Sequence, residues 1–246
     1  MKIDFFGSSH GRPEPGRKYS SIMVEIGENR YLVDIGTDPI CEMINRNLPV
    51  ESIKAVFVSH MHSDHIGGLF QYVGLTNIPG GAYDAADPAI YLPNDLEKTQ
   101  QLLQGWMEVT GRKRVKPTRF FSVEEGVFFD DGILRVTAYR TMHMNYSYAF
   151  LLEAEGKRVL ITNDLYSKEP MLDFPVAALE QPLDLLIGES AHFDATDYVN
   201  VLTGKDVKKM CITHYSPKHI DSIPAFAALM PQLPLQLATD GMQILV

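Results

Sequence analysis

The chain has 246 residues, 45% hydrophobic and 22% charged, and its 31 acidic against 22 basic side chains give a formal net charge of −9 at pH 7. That length and composition point to one globular domain spanning residues 1–246 and exclude a disordered chain. No apolar run approaches the ~18 to 20 residues that a bilayer-crossing helix needs, MKIDFF leads directly into a strand-like pattern rather than a leader, and an acidic chain is a poor general binder of nucleic acid, whose phosphates draw on Lys and Arg.

In chain order, the first third reads as short runs rich in Val, Ile, Phe and Tyr: IDFFG, SSIMVEIG, RYLVDIG and KAVFVS, each of strand length. A helix is predicted between the third and fourth, with Thr37 as its cap, Pro39 in its first turn and Ile40, Met43, Ile44 and Leu48 at helical spacing before Pro49. Residues 74–93 are rich in Gly and Pro and read as a surface loop or lid. A second helix starts at Asn94, paired with Glu97 at capping-box spacing, and closes at Gly111. The basic run at 111–117 reads as a solvated turn. GILRVTAYRT, SYAFLLEAE, KRVLITND, LDLLIGES, KKMCITH, QLPLQLAT and MQILV are further strands, with helical pieces at TDYVNVLTG and IPAFAALM. Strands in both halves with helices between them imply two sheets packed face to face under outer helices. Cys41 and Cys211 are the only cysteines. Two distant thiols make a poor disulfide framework, so a cytoplasmic location is expected.

The chemistry concentrates in VFVSHMHSDHIGG. A buried-strand pattern runs into His60, His62, Asp64 and His65, followed by Gly67 and Gly68 at the start of a helix. In extended backbone, residues two apart project to one side, so His60 and His62 can grip one ion, and the turn swings Asp64 and His65 towards a neighbouring position. The glycines remove side chains where helix and loop pass closely. His143, Asp164, Glu189, His192 and His214 each sit where a predicted strand runs out, a rigid place for functional groups. Six of the eight histidines fall in these constellations.

In their order, Asp34 of LVDIG, the HMHSDH block, His143, Asp164 and His214 resemble the metallo-β-lactamase superfamily, over nearly the whole chain. The resemblance implies an α/β (α+β) fold, a four-layer αββα sandwich of two mixed sheets flanked by helices. It also implies two divalent metal ions, one held by His60, His62 and His143, the other by Asp64, His65 and His214, with Asp164 and a hydroxide between them. The motif departs at one place, where the usual glycine before the bridging aspartate is Asn163, which puts the local turn in question. Asp34 is expected to fix a turn or support a ligand rather than bind metal. The imidazole-rich, mixed carboxylate set suits Zn, with Mn, Fe or Co compatible by ligand type.

GSSHGRPEPGRKYSS and THYSPKH resemble the opening and closing motifs of ribonuclease Z and related phosphodiesterases. Ribonuclease Z has a histidine directly before the equivalent of Glu189, where this chain has Gly188. His192, 22 residues before His214, instead resembles the extra histidine of small phosphodiesterases of carbon–phosphorus lyase pathways, without their metal-binding cysteine cluster. Only 21 positions separate His143 from Asp164, too few for the tRNA-gripping insertion of ribonuclease Z. With two divalent ions and single negative charges on Asp64, Asp164 and hydroxide, the centre keeps a surplus of about +1 that suits an anion.

The expectation is therefore a cytoplasmic, dinuclear metal hydrolase acting on a small phosphodiester or (cyclic) nucleotide, with tRNA and membrane disfavoured and a homodimer allowed. His192 would protonate the leaving group, oriented by Glu189; Asp64 would orient the nucleophile; Lys218 would contact the anionic substrate. Arg12, Arg17 and Lys18 are weighed as solvated cations against substrate contacts, and His10 and His219 as surface residues. The rivals are hydrolysis of a thioester, lactone or β-lactam on the same centre, and a metal-containing sensor without turnover.

Overall fold

The computed structural model describes residues 1–12, 14–111, 116–166 and 171–246. The apolar runs pair into two seven-stranded sheets. The first has the order β14 (Gln243–Leu245), β1 (Lys2–Gly7), β2 (Ser21–Ile26), β3 (Asn29–Val33), β4 (Ile53–Phe57), β5 (Ala89–Leu92) and β6 (Arg119–Ser122). The second has the order β13 (Leu235–Leu237), β12 (Met210–Tyr215), β11 (Leu185–Ser190), β10 (Lys157–Ile161), β9 (Tyr148–Ala154), β8 (Arg135–Arg140) and β7 (Gly126–Asp130). Both sheets are mixed in the same way. Antiparallel pairing joins β14 through β3 and β7 through β10, and parallel pairing joins β3 through β6 and β10 through β13.

Alternation along each strand divides the core into three. Ile3, Phe5, Val24, Tyr31, Val33 and Phe57 of the first sheet meet Val136, Phe150, Leu152, Val159, Ile161 and Ile187 of the second between the sheets. The opposite face of the first sheet, with Phe6, Met23, Leu32 and Val56, packs under α1 (Pro39–Asn45), α3 (Leu69–Thr76) and α4 (Leu96–Val109). Leu160, Leu186 and Ile212 cover the outer face of the second sheet beside Tyr198, just before α5 (Val199–Leu202), and Phe226 on α6 (Ser222–Leu229). Central strands buried on both faces are why their sequences read as nearly unbroken apolar runs. Each large side chain so buried contributes roughly 1.5–3 kcal/mol. The result is a helix–sheet–sheet–helix sandwich, as expected. No helix among the described residues is long and apolar enough to cross a membrane.

Three expectations need correction, and one strand was not foreseen. Asp38, not Thr37, caps α1, accepting from the backbone N–H of Ile40 at 2.9 Å; with Pro39 fixed at the first helical position, the capping position falls on its neighbour. Asp95, not Asn94, caps α4, accepting from Lys98 N–H at 3.1 Å. The stretch 74–93 is not a continuous loop: it begins inside α3 and ends in β5, which pairs with β4 and β6. β6 escaped prediction because it lies at the sheet edge, where exposed side chains erase the apolar alternation. The basic run expected as a solvated turn falls largely on 112–115, outside the described residues.

Candidate metal centre

β4 delivers the HMHSDH block. Val58 N–H still pairs with Tyr91 O at 2.9 Å, and then the chain leaves the sheet through Ser59 and His60 to the short helix α2 (Ser63–Ile66). Gly67 and Gly68 do what their spacing implied. A Cβ at Gly68 would lie 2.2 Å from Thr37 O, and one at Gly67 2.9 Å from Gly36 O, so only glycine lets this turn pack on the loop after β3. Asp34 organises the block from that loop. It is buried, with φ 59°, and its carboxylate accepts from Ser59 N–H at 2.7 Å, Ser59 Oγ at 2.9 Å and His65 Nδ1 at 2.6 Å. A proton on His65 Nδ1 leaves Nε2 free to face the centre.

The second sheet supplies the rest. His143 follows β8, Asp164 follows β10, and His214 lies near the end of β12. Asn163, at φ 50°, takes the left-handed conformation that asparagine tolerates, and its Nδ2 donates to Tyr148 O at 2.9 Å. The turn before Asp164 therefore survives without the glycine. His214 also has a positive φ, 46°.

These side chains converge. His62 Nδ1 lies 3.0 Å from both His60 Nε2 and His143 Nε2. His65 Nε2 lies 3.4 Å from Asp64 Oδ2, and His214 Nε2 lies 3.9 Å from the same oxygen. Asp164 stands between the groups: its Oδ2 is 3.5 Å from His143 Nε2, 3.7 Å from His60 Nε2 and 3.3 Å from His214 Nε2, and its Oδ1 is 3.4 Å from His65 Nε2. Donors at ~2.0–2.1 Å around a tetrahedral cation stand ~3.3 Å apart, and these separations scatter about that value. Each of His60, His62, His143 and Asp164, and each of Asp64, His65 and His214, offers an atom within 4.8 Å of the others in its group, as do Asp164, His192 and His214.

Electrostatics fit two cations. Burial, the largest influence, pushes His60 far below the usual histidine range and His143 down to about 4, so these imidazoles stand neutral, as ligands must. Burial opposes the charged forms of Asp64 and Asp164 too, but the surrounding histidines outweigh it and hold both carboxyls below the usual range. For His65, burial is outweighed by Asp164 and Asp34, which raise it well above 6.5. His65 Nε2 and Asp164 Oδ1 are buried without a hydrogen-bond partner among the described residues. Lone pairs facing one another at 3.0 Å repel unless a proton or cation lies among them, so the donor set suits divalent metal ions.

His192 stands beside this centre, its Nε2 4.0 Å from Asp164 Oδ2. Buried Glu189 fixes it, accepting from His192 Nδ1 at 2.8 Å while also accepting from the N–H groups of Leu165 and Ala191, each at 2.8 Å. Burial lowers the pKa of His192, and Glu189 more than reverses it, raising it to about 9. A Cβ at Gly188 would meet the buried Tyr198 Oη at 2.6 Å, so a histidine here would have to displace packed side chains. A cavity of about 680 Å³ opens over Asp64, Asp164, His192 and His214, with Arg12 and Lys218 on its wall.

The sequence reading missed several supports. Buried Asp173 accepts from Met142 N–H at 3.0 Å and Tyr166 N–H at 2.8 Å, tying the His143 loop to the segment after Asp164. Thr141 Oγ1 donates to Asp164 O at 3.1 Å. His10 and His219 are buried rather than surface residues, paired with Glu14 at 3.1 Å and Asp194 at 2.6 Å. Arg17 and Lys18 are engaged by Glu14 and Glu42 rather than free. Of the four opening and closing cations, Arg12 and Lys218 reach the cavity. Cys211 is buried, as expected, and its thiol is pushed up to about 12 by burial.

The chain is similar to ribonuclease Z of Exiguobacterium sp. (strain ATCC BAA-1283 / AT1b), with 24% identity over 200 residues, covering 81% of this chain and 64% of the relative. It thus spans just under two thirds of that relative's length. Among solved structures, the metallo-beta-lactamase fold protein YhfI from Bacillus subtilis superposes with a TM-score of 0.77 at 19% identity, over 99% of both chains. A diphosphatase from the PhnP family superposes with a TM-score of 0.65 at 20% identity, over 100% of this chain and 97% of that one. These similarities establish the fold and the superfamily that the HMHSDH block announced. The family model for the anti-Pycsar protein Apyc1 matches residues 1–229, and the chain is accordingly a metallo-β-lactamase-superfamily protein belonging to the family of the anti-Pycsar protein Apyc1.

Proposed function

We propose that the chain is a dinuclear metal-dependent phosphodiesterase acting on a small phosphodiester or cyclic nucleotide. The observation that carries this reading is His192, set by Glu189 at the rim of the Asp164 cluster with its pKa raised to about 9. A thioester expels a thiolate that needs little protonation, whereas an alkyl phosphodiester expels an alkoxide that needs a proton. His60, His62 and His143 would hold one ion, Asp64, His65 and His214 the other, with Asp164 shared. Two divalent cations there supply Lewis acidity, lowering the pKa of water towards ~7 and neutralising charge that builds on phosphoryl oxygens.

The protein's own groups do the rest. Asp64 accepts a hydrogen bond from the attacking water and orients it. Arg12 and Lys218 on the wall of the cavity draw an anion in despite the chain's acidic charge and hold it for in-line attack. His192 holds its proton on Nε2 at neutral pH and passes it to the departing oxygen, and Glu189 keeps the ring aimed. Between His143 and Asp164 the chain forms only the β9–β10 hairpin, which supports a small substrate over tRNA. Zn suits the donors best.

The test is a panel of a 3′,5′-cyclic nucleotide, an alkyl aryl phosphodiester, a glutathione thioester, a lactone and a β-lactam, offered to protein loaded with Zn²⁺ or Mn²⁺. Phosphodiester cleavage exceeding the others is expected. Faster turnover of the thioester, lactone or lactam overturns the reading, and two bound ions with no turnover favour a sensor.

A further inference from the structure

The two sets of donors are held in different ways. Two histidines of the HMHSDH block are tied down at the far ring nitrogen: His60 Nδ1 lies 3.0 Å from Ser59 Oγ, and His65 Nδ1 lies 2.6 Å from Asp34. His214 has no such tie. Its Nδ1 is buried without a hydrogen-bond partner among the described residues, so the position of its Nε2 depends on the backbone that carries it. That backbone is left-handed, at φ 46°, a conformation that non-glycine residues keep only where the surroundings impose it.

What imposes it is the loop between β1 and β2. His214 N–H donates to Ser8 O at 3.0 Å. The same carbonyl accepts from Arg17 Nη2, and Arg17 Nη1 donates to Tyr215 O at 3.1 Å. One guanidinium thus grips the carbonyl that receives the His214 N–H and the carbonyl of the residue after His214. It also lies 3.6 Å above the Tyr215 ring, and Glu14 holds its Nη1 from the other side. Ser8 is anchored in turn by Asp240, which accepts from its N–H at 3.0 Å and its Oγ at 2.8 Å. The Arg17 side chain is only 11% exposed, so this cation is spent on the fold rather than offered to substrate.

We propose that Arg17 is a positioning residue for His214, and through it for one of the two ions, while the other ion is independent of it. The proposal rests on the two-ion reading above. A planar fork with several donors is needed for this grip, and lysine, a point charge that reaches fewer acceptors, cannot reproduce it.

Metal-stripped wild type, Arg17→Lys, Glu14→Gln and His214→Ala would be titrated with Co²⁺ against a competing chelator, each equivalent followed by its visible absorption. Circular dichroism and thermal midpoints of the metal-free proteins would report folding. In Arg17→Lys one equivalent is expected to bind as in wild type. The other, the one abolished in His214→Ala, is expected to weaken about 10- to 100-fold, as for loss of a residue supporting a ligand. Glu14→Gln is expected to weaken the same equivalent by less, and it decides the matter should Arg17→Lys fail to fold. Unchanged binding of both equivalents, or equal weakening of both, overturns the proposal. Wild type that takes up fewer than two ions overturns the two-ion reading, and this inference with it.

Discussion

Asp34→Asn changes a single carboxylate oxygen, the one that accepts from His65 Nδ1 and from the Ser59 hydroxyl, which can turn to accept instead. Asparagine tolerates the φ of 59° at this position, so the backbone is left alone. Its oxygen can keep the place that accepts from Ser59 N–H at 2.7 Å, which puts the amide NH₂ where the carboxylate now accepts from His65 Nδ1 at 2.6 Å. Two donors then face each other, and the neutral imidazole escapes by moving its proton from Nδ1 to Nε2. That proton points at Asp64 and Asp164, where an ion would bind. Restoring the binding tautomer means reinstating a donor–donor contact in a buried site, worth about 1.5–3 kcal/mol, which at 1.4 kcal/mol per decade is a loss of about 10- to 100-fold in affinity. The assay is chelator-competition titration of metal-stripped protein with Zn²⁺, alongside the thermal midpoint without metal. One equivalent should weaken by that factor while the metal-free midpoint falls by no more than a few degrees. Wild-type affinity for both equivalents would refute the tautomer reasoning, as would an affinity loss that merely tracks general unfolding.

Other consequences can be measured separately. His192→Ala should slow an alkyl phosphodiester by about 10²- to 10⁴-fold and spare a p-nitrophenyl leaving group; similar effects on both would remove His192 as the acid. Because Glu189 raises His192 to about 9, the alkyl rate should fall as pH rises through about 9, a limb that His192→Ala should lack. His65 is raised well above 6.5 by Asp164 and Asp34, so the metal-free chain carries a proton there at pH 7 that an incoming ion must expel. Metal affinity should therefore weaken as pH falls, and calorimetry in buffers of different ionisation enthalpy should show proton release; the absence of release would contradict the assignment. Gly188→His should cost about 1–3 kcal/mol of stability through its clash with Tyr198 and Met210 and should not rescue His192→Ala, as activity and melting measurements would show.

How much of this was legible in the sequence depended on how locally each feature is encoded. HMHSDH is a local signal, with spacing, strand before and glycines after, and its four candidates meet as read. His143, Asp164 and His214 were legible because each stands at or just beyond the end of a strand, β8, β10 and β12 respectively. Arg17 was not, because its meaning lies in Tyr215, 198 positions away, and no periodicity links them. His10 was misread as a surface residue for the same reason, since its burial comes from the loop folding back on Glu14. Asp173 sits in an irregular stretch and reveals itself only through the two N–H groups it receives. The caps slipped by one residue because Asp38 and Asp95 compete with equally good neighbours. Edge strand β6 carries too little buried surface to announce itself.

The ligand candidates are contributed by both halves of the sandwich: His60, His62, Asp64 and His65 from one, His143, Asp164 and His214 from the other. A slip of one sheet past its neighbour by a single residue is about 3.3 Å, as large as the gaps between donors, so the cluster tolerates almost no sliding. Bound cations would act as rivets across that seam. Their removal should speed hydrogen exchange most at the ends of β4, β8, β10 and β12 from which the donors hang, and least at the opposite ends of the sheets, turning amide protection into a map of where the two halves are clasped.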